Sequence, residues 1–296
     1  MDGGAGVTIP RAFLESPRWW RGGAEWLAGL PELVAEQCAR RRLTIDGEPM
    51  HGSNALVVPV IRDGEQLVLR LAPPGGDVGG QIGALRFWGG RGTVRLVDGD
   101  AEAGVMLLER LGTTSLRDVP VDEAMHVLGG LMRRLAVPVP VHVPGTGAAV
   151  AARMATLGEE WHRHRRPFDE GVLHQALTIG DRLARSTAAT AVNGDLHSEQ
   201  VLRADREPWL VVDPVLMRGD MAFDLGRVLW TRLDEMAVPG EVMRCFDIVV
   251  RAAGVDRDHG RDWVLFRAVD YWLWGLGAGL TEDPLRCHRL VSLLRS

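Results

Sequence analysis

Asn193-Gly194-Asp195-Leu196-His197 is the stretch that decides the fold of this chain, together with Asp213 at the end of the apolar run Trp209-Leu210-Val211-Val212. A polar loop, a short predicted strand and a carboxylate follow one another closely here. Phosphoryl transfer needs such parts. One carboxylate orients an acceptor hydroxyl and takes its proton, while a second carboxylate and a side-chain oxygen hold magnesium against the nucleotide phosphates. An amide oxygen serves this hard cation as well as a carboxylate does.

The flanking residues carry a resemblance to a known family. The loop and the residues after it, Gln200-Val201-Leu202, resemble the His-Gly-Asp-Leu-His-x-x-Asn-Val-Leu and Ile-Asp-Pro pattern of the aminoglycoside phosphotransferases. The run from Arg206 to Pro214 is very similar to the Arg-Glu-Pro-Trp-Leu-Val-Ile-Asp-Pro of their streptomycin 6-kinase and hydroxyurea phosphotransferase branch. Further matches extend the resemblance over most of the chain, from about Ile9 to at least Trp230. They are Pro49-Met50-His51-Gly52, Arg91-Gly92-Thr93-Val94-Arg95-Leu96 and Leu107-Leu108-Glu109-Arg110-Leu111.

The resemblance implies roles for individual residues of the second half of the chain. Asp195 would be the catalytic carboxylate beside the acceptor hydroxyl, and Asp213 would bind Mg2+. Gln200 occupies the position of the family's metal-binding asparagine, five residues after the catalytic aspartate. Asp220 and Asp224 would be supporting carboxylates, with Asp224 near the start of the following helix.

Other implied roles lie in the first half and concern ATP, the expected phosphate donor. Arg70 stands where the family has the lysine that binds the nucleotide phosphates. Gln81 stands at or near the glutamate that pairs with this lysine, and the backbone from Glu109 to Leu111 would contact adenine. Arg70 could also be a plain surface arginine.

Four functional positions depart from the family pattern: Arg70 replaces lysine, Gln81 glutamate, Asn193 histidine and Gln200 asparagine. Arginine keeps the charge but is planar and forked. With Gln81 it would form a charge-to-amide hydrogen bond in place of an ion pair. Gln200 keeps the amide oxygen but is one methylene longer, and magnesium demands near-ideal octahedral geometry. Two hypotheses follow: an ATP-dependent phosphotransferase acting on a hydroxyl of a small molecule, or an impaired kinase-like protein that binds a small molecule or nucleotide.

The order of predicted elements indicates an α+β, two-lobed protein-kinase-like fold. Apolar spacing predicts a helix from Glu25 to Arg42, and residues 54–61 and 65–71 predict a hairpin. Pro59 within the first strand favours an edge strand or a bulge. The β-rich part, residues 1–110, would bind the nucleotide, and residues 111–296 would form the helical catalytic and acceptor-binding lobe. Further predictions are a glycine-rich connection over 75–80, a short helix over 81–88, strands over 93–97 and 105–109 around a turn at Asp98-Gly99-Asp100, and helices near 121–135, 148–165, 170–186, 239–253 and 261–278.

Composition limits the class of protein. The chain has 296 residues, 46% of them hydrophobic, a net charge of −5 and only arginine among its 34 basic residues. Without a broad basic face, nucleic-acid binding is not favoured, and the basic cluster at 161–166 is interpreted as a solvated helix end. Without an apolar run of about 18 residues, no membrane span is expected. Met1 to Gly4 lack the order of a secretory signal. The acidic balance makes a cationic acceptor such as an aminoglycoside plausible, but charge alone does not choose the acceptor, which could equally be a biosynthetic intermediate.

Three further sets of residues bear on the interpretation, and the second and third of them leave alternatives open. The widely spaced Cys38, Cys245 and Cys287 favour buried free thiols and a reducing cytoplasm. His197 could orient the catalytic loop or simply be a satisfied polar residue. The aromatic residues of the C-terminal part favour core packing of a helix, with stacking of the acceptor as the alternative. They are Trp263, Phe266, Tyr271, Trp272 and Trp274.

Overall fold

The structure is a computed structural model that describes residues 7–15, 23–73 and 77–295. The chain divides into two compact units, Met1–Gly112 and Thr113–Ser296. The expectation for Met1 to Gly4 lies outside the described residues, and so do Gly75 and Gly76 of the expected glycine-rich connection.

The first unit is built on an antiparallel sheet. Within the described residues the strand order is β1-β3-β4-β6-β5, and β2 also pairs with β3. One face of the hairpin β3–β4 packs with α3 to form the apolar core of this unit. The helices are α1 Arg11–Glu15, α2 Gly23–Ala28, α3 Leu30–Arg41 and α4 Val78–Trp88; the strands are β1 Thr44–Ile45, β2 Met50–His51, β3 Leu56–Arg62, β4 Glu65–Leu71, β5 Leu96–Asp100 and β6 Val105–Glu109.

The expected hairpin is present, and its turn explains it. Asp63 and Gly64 both have positive φ, 51° and 83°, as a two-residue turn that follows the twist of the strands requires. Beyond the turn, Leu67, Leu69 and Leu71 are fully buried. The period of two therefore places one face of β4 in the core.

Both alternatives expected for Pro59 were wrong, because β3 is not an edge strand and its register with β4 contains no bulge. β4 pairs with the whole length of β3 on one side, and β1 and β2 pair with β3 on the other side. These two-residue strands meet β3 at Val60 and at Val57, so Pro59 falls between them. Its carbonyl still accepts a hydrogen bond from the N–H of Asp46. A proline without an N–H is tolerated at this gap in the ladder.

Two other boundaries differ from expectation. The predicted turn at Asp98-Gly99-Asp100 is part of β5, and the chain turns over residues 101–104 instead. A register shift between Leu96 and Asp98 takes up the irregularity. The predicted helix from Glu25 to Arg42 is two helices separated at Gly29.

The second unit is mainly helical, with short strands that carry loops. The helices expected over 121–135 and 239–253 have the predicted bounds, and the last helix, Glu282–Leu294, was not predicted. The helices are α5 Val121–Leu135, α6 Thr146–Arg163, α7 Glu170–Ala184, α8 Leu225–Trp230, α9 Pro239–Ala253, α10 Arg257–Gly277 and α11 Glu282–Leu294; the strands are β7 Thr190–Val192, β8 Val201–Arg203, β9 Trp209–Val211 and β10 Met217–Gly219. The pairs β7–β10 and β8–β9 are both antiparallel.

Close approach of α5 and α9 depends on one glycine. A Cβ added at Gly129 would lie 2.5 Å from the backbone oxygen of Val249 and 2.9 Å from the backbone nitrogen of Ala253. Backbone atoms cannot move aside as a flexible side chain can, so the contact requires a residue without a side chain. At the neighbouring Gly130 nothing lies within 4 Å of an added Cβ.

The thiols are as expected from the sequence. Cys38, Cys245 and Cys287 are free and buried. Burial raises the pKa of each thiol, which keeps all three protonated and unreactive near neutral pH. Within the described part of the chain, no helix combines the length and apolarity needed to cross a bilayer.

Candidate active site

The loop at 193–197 leaves the end of β7 through a sharp turn. Gly194 has a φ of 78°, and a Cβ there would lie 2.8 Å from Sδ of Met217 on the paired strand β10. Both the conformation and the space favour glycine. Oδ1 of Asn193 accepts a hydrogen bond from the N–H of Val215 at 2.8 Å. The asparagine that replaces the family's histidine thus ties the loop to the segment after Asp213.

Asp224 is buried beside the backbone of the same loop. Burial raises the pKa of its carboxyl to about 7, although the charge of Arg267 and the backbone N–H groups of Gly194 and Asn193 oppose the shift. Its Oδ1 has no hydrogen-bond partner within the described residues. Asp224 offers almost no exposed surface to a ligand, and its role as a supporting carboxylate stays a prediction.

Both carboxylate oxygens of Asp195 have partners. Nε2 of Gln200 donates to Oδ2 at 3.1 Å, and Nε of Arg227 lies 2.8 Å from Oδ1. The Arg227 N–H is not aligned for a hydrogen bond, so this contact is an ion pair held by charge. The side chain of Asp195 is still 37% exposed. The carboxylate is thus restrained at both oxygens and open to a small molecule.

Gln200 and Asp213 come together through the hairpin β8–β9. Val201 pairs with Val211, and the N–H of Val212 donates to the carbonyl of Gln200 at 2.9 Å, so Asp213 follows directly beside Gln200. The other amide atom of Gln200, Oε1, is buried and has no hydrogen-bond partner within the described residues.

These two residues fit a magnesium ion. A buried amide oxygen without a partner costs free energy unless something binds it, and an oxygen donor beside a carboxylate suits Mg2+. No three His, Cys, Asp or Glu side chains of the described chain converge on a metal position. Two protein ligands are enough for Mg2+, which keeps several waters and takes the rest of its oxygens from phosphates.

His197 is buried at the start of the 3-10 turn Ser198–Gln200. Burial lowers the pKa of this imidazole, and the positive charge of Arg227 lowers it further. Its Nδ1 has no hydrogen-bond partner within the described residues. The imidazole of His197 is therefore neutral at neutral pH. Because its Nδ1 lacks a partner, the interpretation of His197 as a fully hydrogen-bonded polar residue does not hold.

Asp220 is held by His259 and Trp263, whereas the partners of Asp195 are Gln200 and Arg227. Its Oδ2 lies 2.5 Å from Nε2 of His259 and accepts from Nε1 of Trp263 at 3.1 Å. Its Oδ1 caps a 3-10 turn by accepting from the N–H of Ala222. Burial alone would raise the pKa of Asp220, but these partners outweigh it and lower the pKa. The hydrogen bond to Asp220 in turn raises the pKa of His259.

In the first unit, Arg70 and Gln81 are brought together. Nη1 of Arg70 on β4 donates to Oε1 of Gln81 on α4 at 3.0 Å. This is the charge-to-amide hydrogen bond expected from the two substitutions. The contact positions the guanidinium, and its role toward a nucleotide stays a prediction.

The segment expected to meet adenine follows the end of β6. The N–H of Arg95 donates to Oε1 of Glu109 at 2.8 Å. The guanidinium of Arg110 donates to the carbonyls of Leu67 and Val60 and pairs with Asp46 at 2.7 Å. Arg110 thus anchors this segment to the sheet, and Leu111 comes next, partly exposed.

The aromatic residues near the C-terminus fall into two groups, one buried and one forming a partly exposed stack. Trp263, Phe266 and Trp272 are buried, as core packing predicts. Tyr271 instead stacks on Trp230 at 4.6 Å and on Trp274 at 5.0 Å between ring centroids. Trp274 is 46% exposed.

Arg227 links this stack to Asp195, and sequence reasoning missed it. Its Nη1 donates to the hydroxyl of Tyr271 at 3.2 Å. Position 227 is three residues after Asp224 on α8, and no sequence spacing relates it to Asp195. His259 was missed for the same reason: it meets Asp220 only because α10 packs against the 3-10 turn at Met221–Asp224.

Sequence comparison identifies relatives along nearly the whole chain. A model of the family described as "Aminoglycoside/hydroxyurea antibiotic resistance kinase" matches residues 40–279. A streptomycin 6-kinase of Streptomyces griseus is 37% identical over 93% of this chain and 93% of its own length. A hydroxyurea phosphotransferase of Kitasatospora aureofaciens is 35% identical over 96% of this chain and 84% of its own length.

Solved structures agree on the fold. A thermostable mutant of aminoglycoside phosphotransferase APH(4)-Ia, in ternary complex with ADP and hygromycin B, superposes with a TM-score of 0.62 at 16% identity, covering 88% of this chain and 97% of its own. A choline kinase of Streptococcus pneumoniae gives a TM-score of 0.62 at 13% identity, covering 90% and 99%. At such low identity these matches show fold alone. The expected α+β kinase-like fold, with its sheet in the N-terminal part and helices in the C-terminal part, is confirmed.

Proposed function

The chain belongs to the aminoglycoside/hydroxyurea antibiotic resistance kinase family, and from this premise we propose that its acceptor is a cationic, hydroxylated antibiotic of the streptomycin type. It is an ATP-dependent phosphotransferase with an alcohol group as acceptor. The observation that supports its catalytic centre most directly is the restrained, partly exposed carboxylate of Asp195 between Gln200 and Arg227.

Asp195 is the group that we expect to receive the proton of the acceptor hydroxyl. Both of its oxygens are restrained, so the carboxylate does not have to be oriented when the acceptor arrives. Arg227 compensates its negative charge in a half-buried setting. A carboxylate in this role positions the nucleophile more than it activates it, because phosphoryl transfer depends mainly on alignment and electrostatics.

Gln200 and Asp213 would hold the magnesium ion. Oε1 of Gln200 has no partner among the described residues, and Asp213 supplies a carboxylate beside it. Magnesium, when bound, would neutralise charge on the nucleotide phosphates. The amide of Gln200 would then serve both groups, with Nε2 on Asp195 and Oε1 on the metal.

The first unit would bind ATP. Arg70, oriented by Gln81, is suited to phosphate oxygens, since a planar guanidinium offers two parallel N–H donors. The backbone from Glu109 to Leu111 would meet adenine, with Arg110 fixing it to the sheet. We place the reaction in the cytoplasm, where ATP is available and the buried thiols stay reduced. No nucleic acid and no membrane are needed for it.

Streptomycin and hydroxyurea are the acceptors to compare first. The relatives that carry these names are 37% and 35% identical to the chain, so sequence similarity alone does not separate them. The net charge of −5 favours the cationic compound.

The deciding assay measures ADP release from Mg-ATP with each acceptor. We expect ADP formation with a streptomycin-type acceptor and a fall to background in Asp195→Ala. No acceptor-dependent ADP above the Asp195→Ala background, across a broad acceptor panel, would refute the proposal.

An impaired relative that only binds ligands would behave differently. This hypothesis arises from the departures from the family pattern at Arg70, Gln81 and Gln200. The family and fold matches give it no support. Thermal unfolding separates the two, because a ligand that binds the native state raises its stability. Stabilisation by the acceptor and none by Mg-ATP would favour the binder.

A further inference from the structure

The structure points to an acceptor subsite outside the catalytic loop: we propose that the exposed face of Trp274, the outermost ring of the stack Trp230–Tyr271–Trp274, binds a cationic group of the acceptor. The inference rests on the proposed function, because it concerns the acceptor of the same reaction. It assigns Trp274 as a specificity-determining residue and Tyr271 as the residue that positions it.

The stack is ordered from the core outward. Trp230 is fully buried, Tyr271 is partly buried and Trp274 is 46% exposed. The ring planes are close to parallel, at 14° and 23°. Tyr271 and Trp274 are three residues apart on α10 and so lie on the same side of the helix. A rigid aromatic surface of this kind binds with little loss of conformational entropy.

Exposure by itself would not mark a site, since single apolar residues are common on protein surfaces. The connection to Asp195 distinguishes Trp274. Three successive contacts lead from its ring to the catalytic carboxylate: Trp274 to Tyr271 at 5.0 Å, Tyr271 to Cζ of Arg227 at 5.6 Å, and Nε of Arg227 to Asp195 at 2.8 Å. We expect an acceptor of several rings to reach both Asp195 and Trp274, and a compound of a few heavy atoms to reach only one of them.

A carboxylate contacts the middle ring of the stack. The hydroxyl of Tyr271 donates to Oδ2 of Asp283 at 3.1 Å, in the first turn of α11. The wider surroundings are balanced in charge, because Arg286 pairs with Asp283, Glu282 and Asp234. The preference for a cation therefore comes from the accessible face of Trp274, since tryptophan is the best aromatic partner for a guanidinium or ammonium group.

The neighbouring cavity provides the comparison. An open cavity of about 420 Å³ is lined by Leu233, Asp234, Glu282, Leu285, Arg286 and Arg289. Leu285 is 69% exposed on α11. If the acceptor used this cavity in place of the tryptophan face, truncation of Leu285 would weaken it.

The experiment compares streptomycin, which carries guanidinium groups, with the small neutral hydroxyurea in Trp274→Ala, Trp274→Phe and Leu285→Ala. For Trp274→Ala we expect the KM for streptomycin to rise about 3- to 30-fold, with kcat and the KM for ATP unchanged. Trp274→Phe should restore most of the affinity. The kinetics with hydroxyurea, if it is accepted, should not change in either variant, and Leu285→Ala should behave as wild type with both acceptors.

An unchanged KM in Trp274→Ala, a fall in kcat alone, or an effect of Leu285→Ala in its place would overturn the inference. Calorimetric titration of streptomycin in the presence of a non-hydrolysable ATP analogue separates this inference from the proposed function. If wild type binds streptomycin without phosphorylating it, and Trp274→Ala weakens the binding, the subsite stands and the proposed reaction fails. If wild type does not bind streptomycin at all, the subsite is refuted.

Discussion

Gln200 donates a hydrogen bond from Nε2 to Oδ2 of Asp195 at 3.1 Å, while its Oε1 is buried without a partner among the described residues. One amide would therefore link the proposed catalytic carboxylate to the proposed metal position.

Truncation of Gln200 should affect the requirement for magnesium. In Gln200→Ala we expect the Mg2+ concentration for half-maximal activity to rise about 10-fold or more, because one oxygen ligand is lost and the partner of Asp195 with it. Titrating Mg2+ at fixed ATP and acceptor measures this. Glu199→Gln, an exposed neighbour in the same turn, is the control. Equal Mg2+ dependence in both variants would exclude Gln200 as a ligand.

Removal of Arg227 should cost both activity and stability. In Arg227→Met the negative charge of Asp195 loses its partner and its restraint, so kcat/KM should fall about 10- to 100-fold. The free energy of unfolding should fall by about 1–3 kcal/mol, less than for a fully buried pair because Asp195 is partly exposed. Steady-state kinetics and urea unfolding measure the two effects.

Two variants control for Arg227→Met. Arg227→Lys should recover part of both losses, because it restores the positive charge beside Asp195. Arg244→Met removes an exposed ion pair with Asp122 and should cost under about 1 kcal/mol. If Arg227→Met were no worse than Arg244→Met, the role assigned to the Asp195 pair would be wrong.

The hydrogen bond between Arg70 and Gln81 should matter for ATP and not for the acceptor. In Gln81→Ala we expect the KM for ATP to rise about 10-fold, since a hydrogen bond to a charged group is lost and Arg70 is less well oriented. Arg86→Ala, at an exposed position of the same helix α4, should leave the KM for ATP unchanged. A rise in the acceptor KM alone would contradict the assignment.

The pair His259–Asp220 should make stability depend on pH. The raised pKa of His259 gives a contribution that is present below its unfolded value of 6.5 and is lost as pH rises through the folded pKa. The lowered pKa of Asp220 gives a contribution present above 3.8 and lost as pH falls through the folded pKa. The pair therefore stabilises the native state most between these two values.

We expect wild type to lose more stability than His259→Gln between about pH 6 and pH 9. Chemical unfolding at a series of pH values gives the slopes. His174→Gln, at an exposed histidine of α7, should show the slope of wild type. Parallel slopes for wild type and His259→Gln would mean that the contact with Asp220 does not shift the titration of His259.

Two adjacent glycines of α5 should respond in opposite directions. Gly129→Ala would force its methyl group against backbone atoms of α9 and should destabilise the protein by about 1–3 kcal/mol. Gly130→Ala has free space and should stabilise it by about 0.5–1 kcal/mol through helix propensity. Thermal and urea unfolding of both variants tests the α5–α9 contact. A stabilising Gly129→Ala would refute the close packing.

Local sequence patterns determined a large part of this protein. The hairpin β3–β4, the bounds of α5 and α9, and the loop at 193–197 follow from period, turn chemistry and local spacing, because the interactions that define them lie within a few residues. The family resemblance supplied Asp195, Gln200 and Asp213 as a set. Pro59 misled because the pattern of one strand cannot show which strands flank it.

Tertiary structure alone decided the partners of Asp195 beyond its own loop. Arg227 reaches Asp195 across 32 positions of the sequence, and Tyr271 and Trp274 join it only because α10 packs against α8. Such contacts depend on how helices pack, and one sequence carries no periodic signal for the distance between two helices. The sequence therefore predicted which carboxylate is central, while the packing of the helical unit decided that Arg227 holds it and that Tyr271 contacts Arg227.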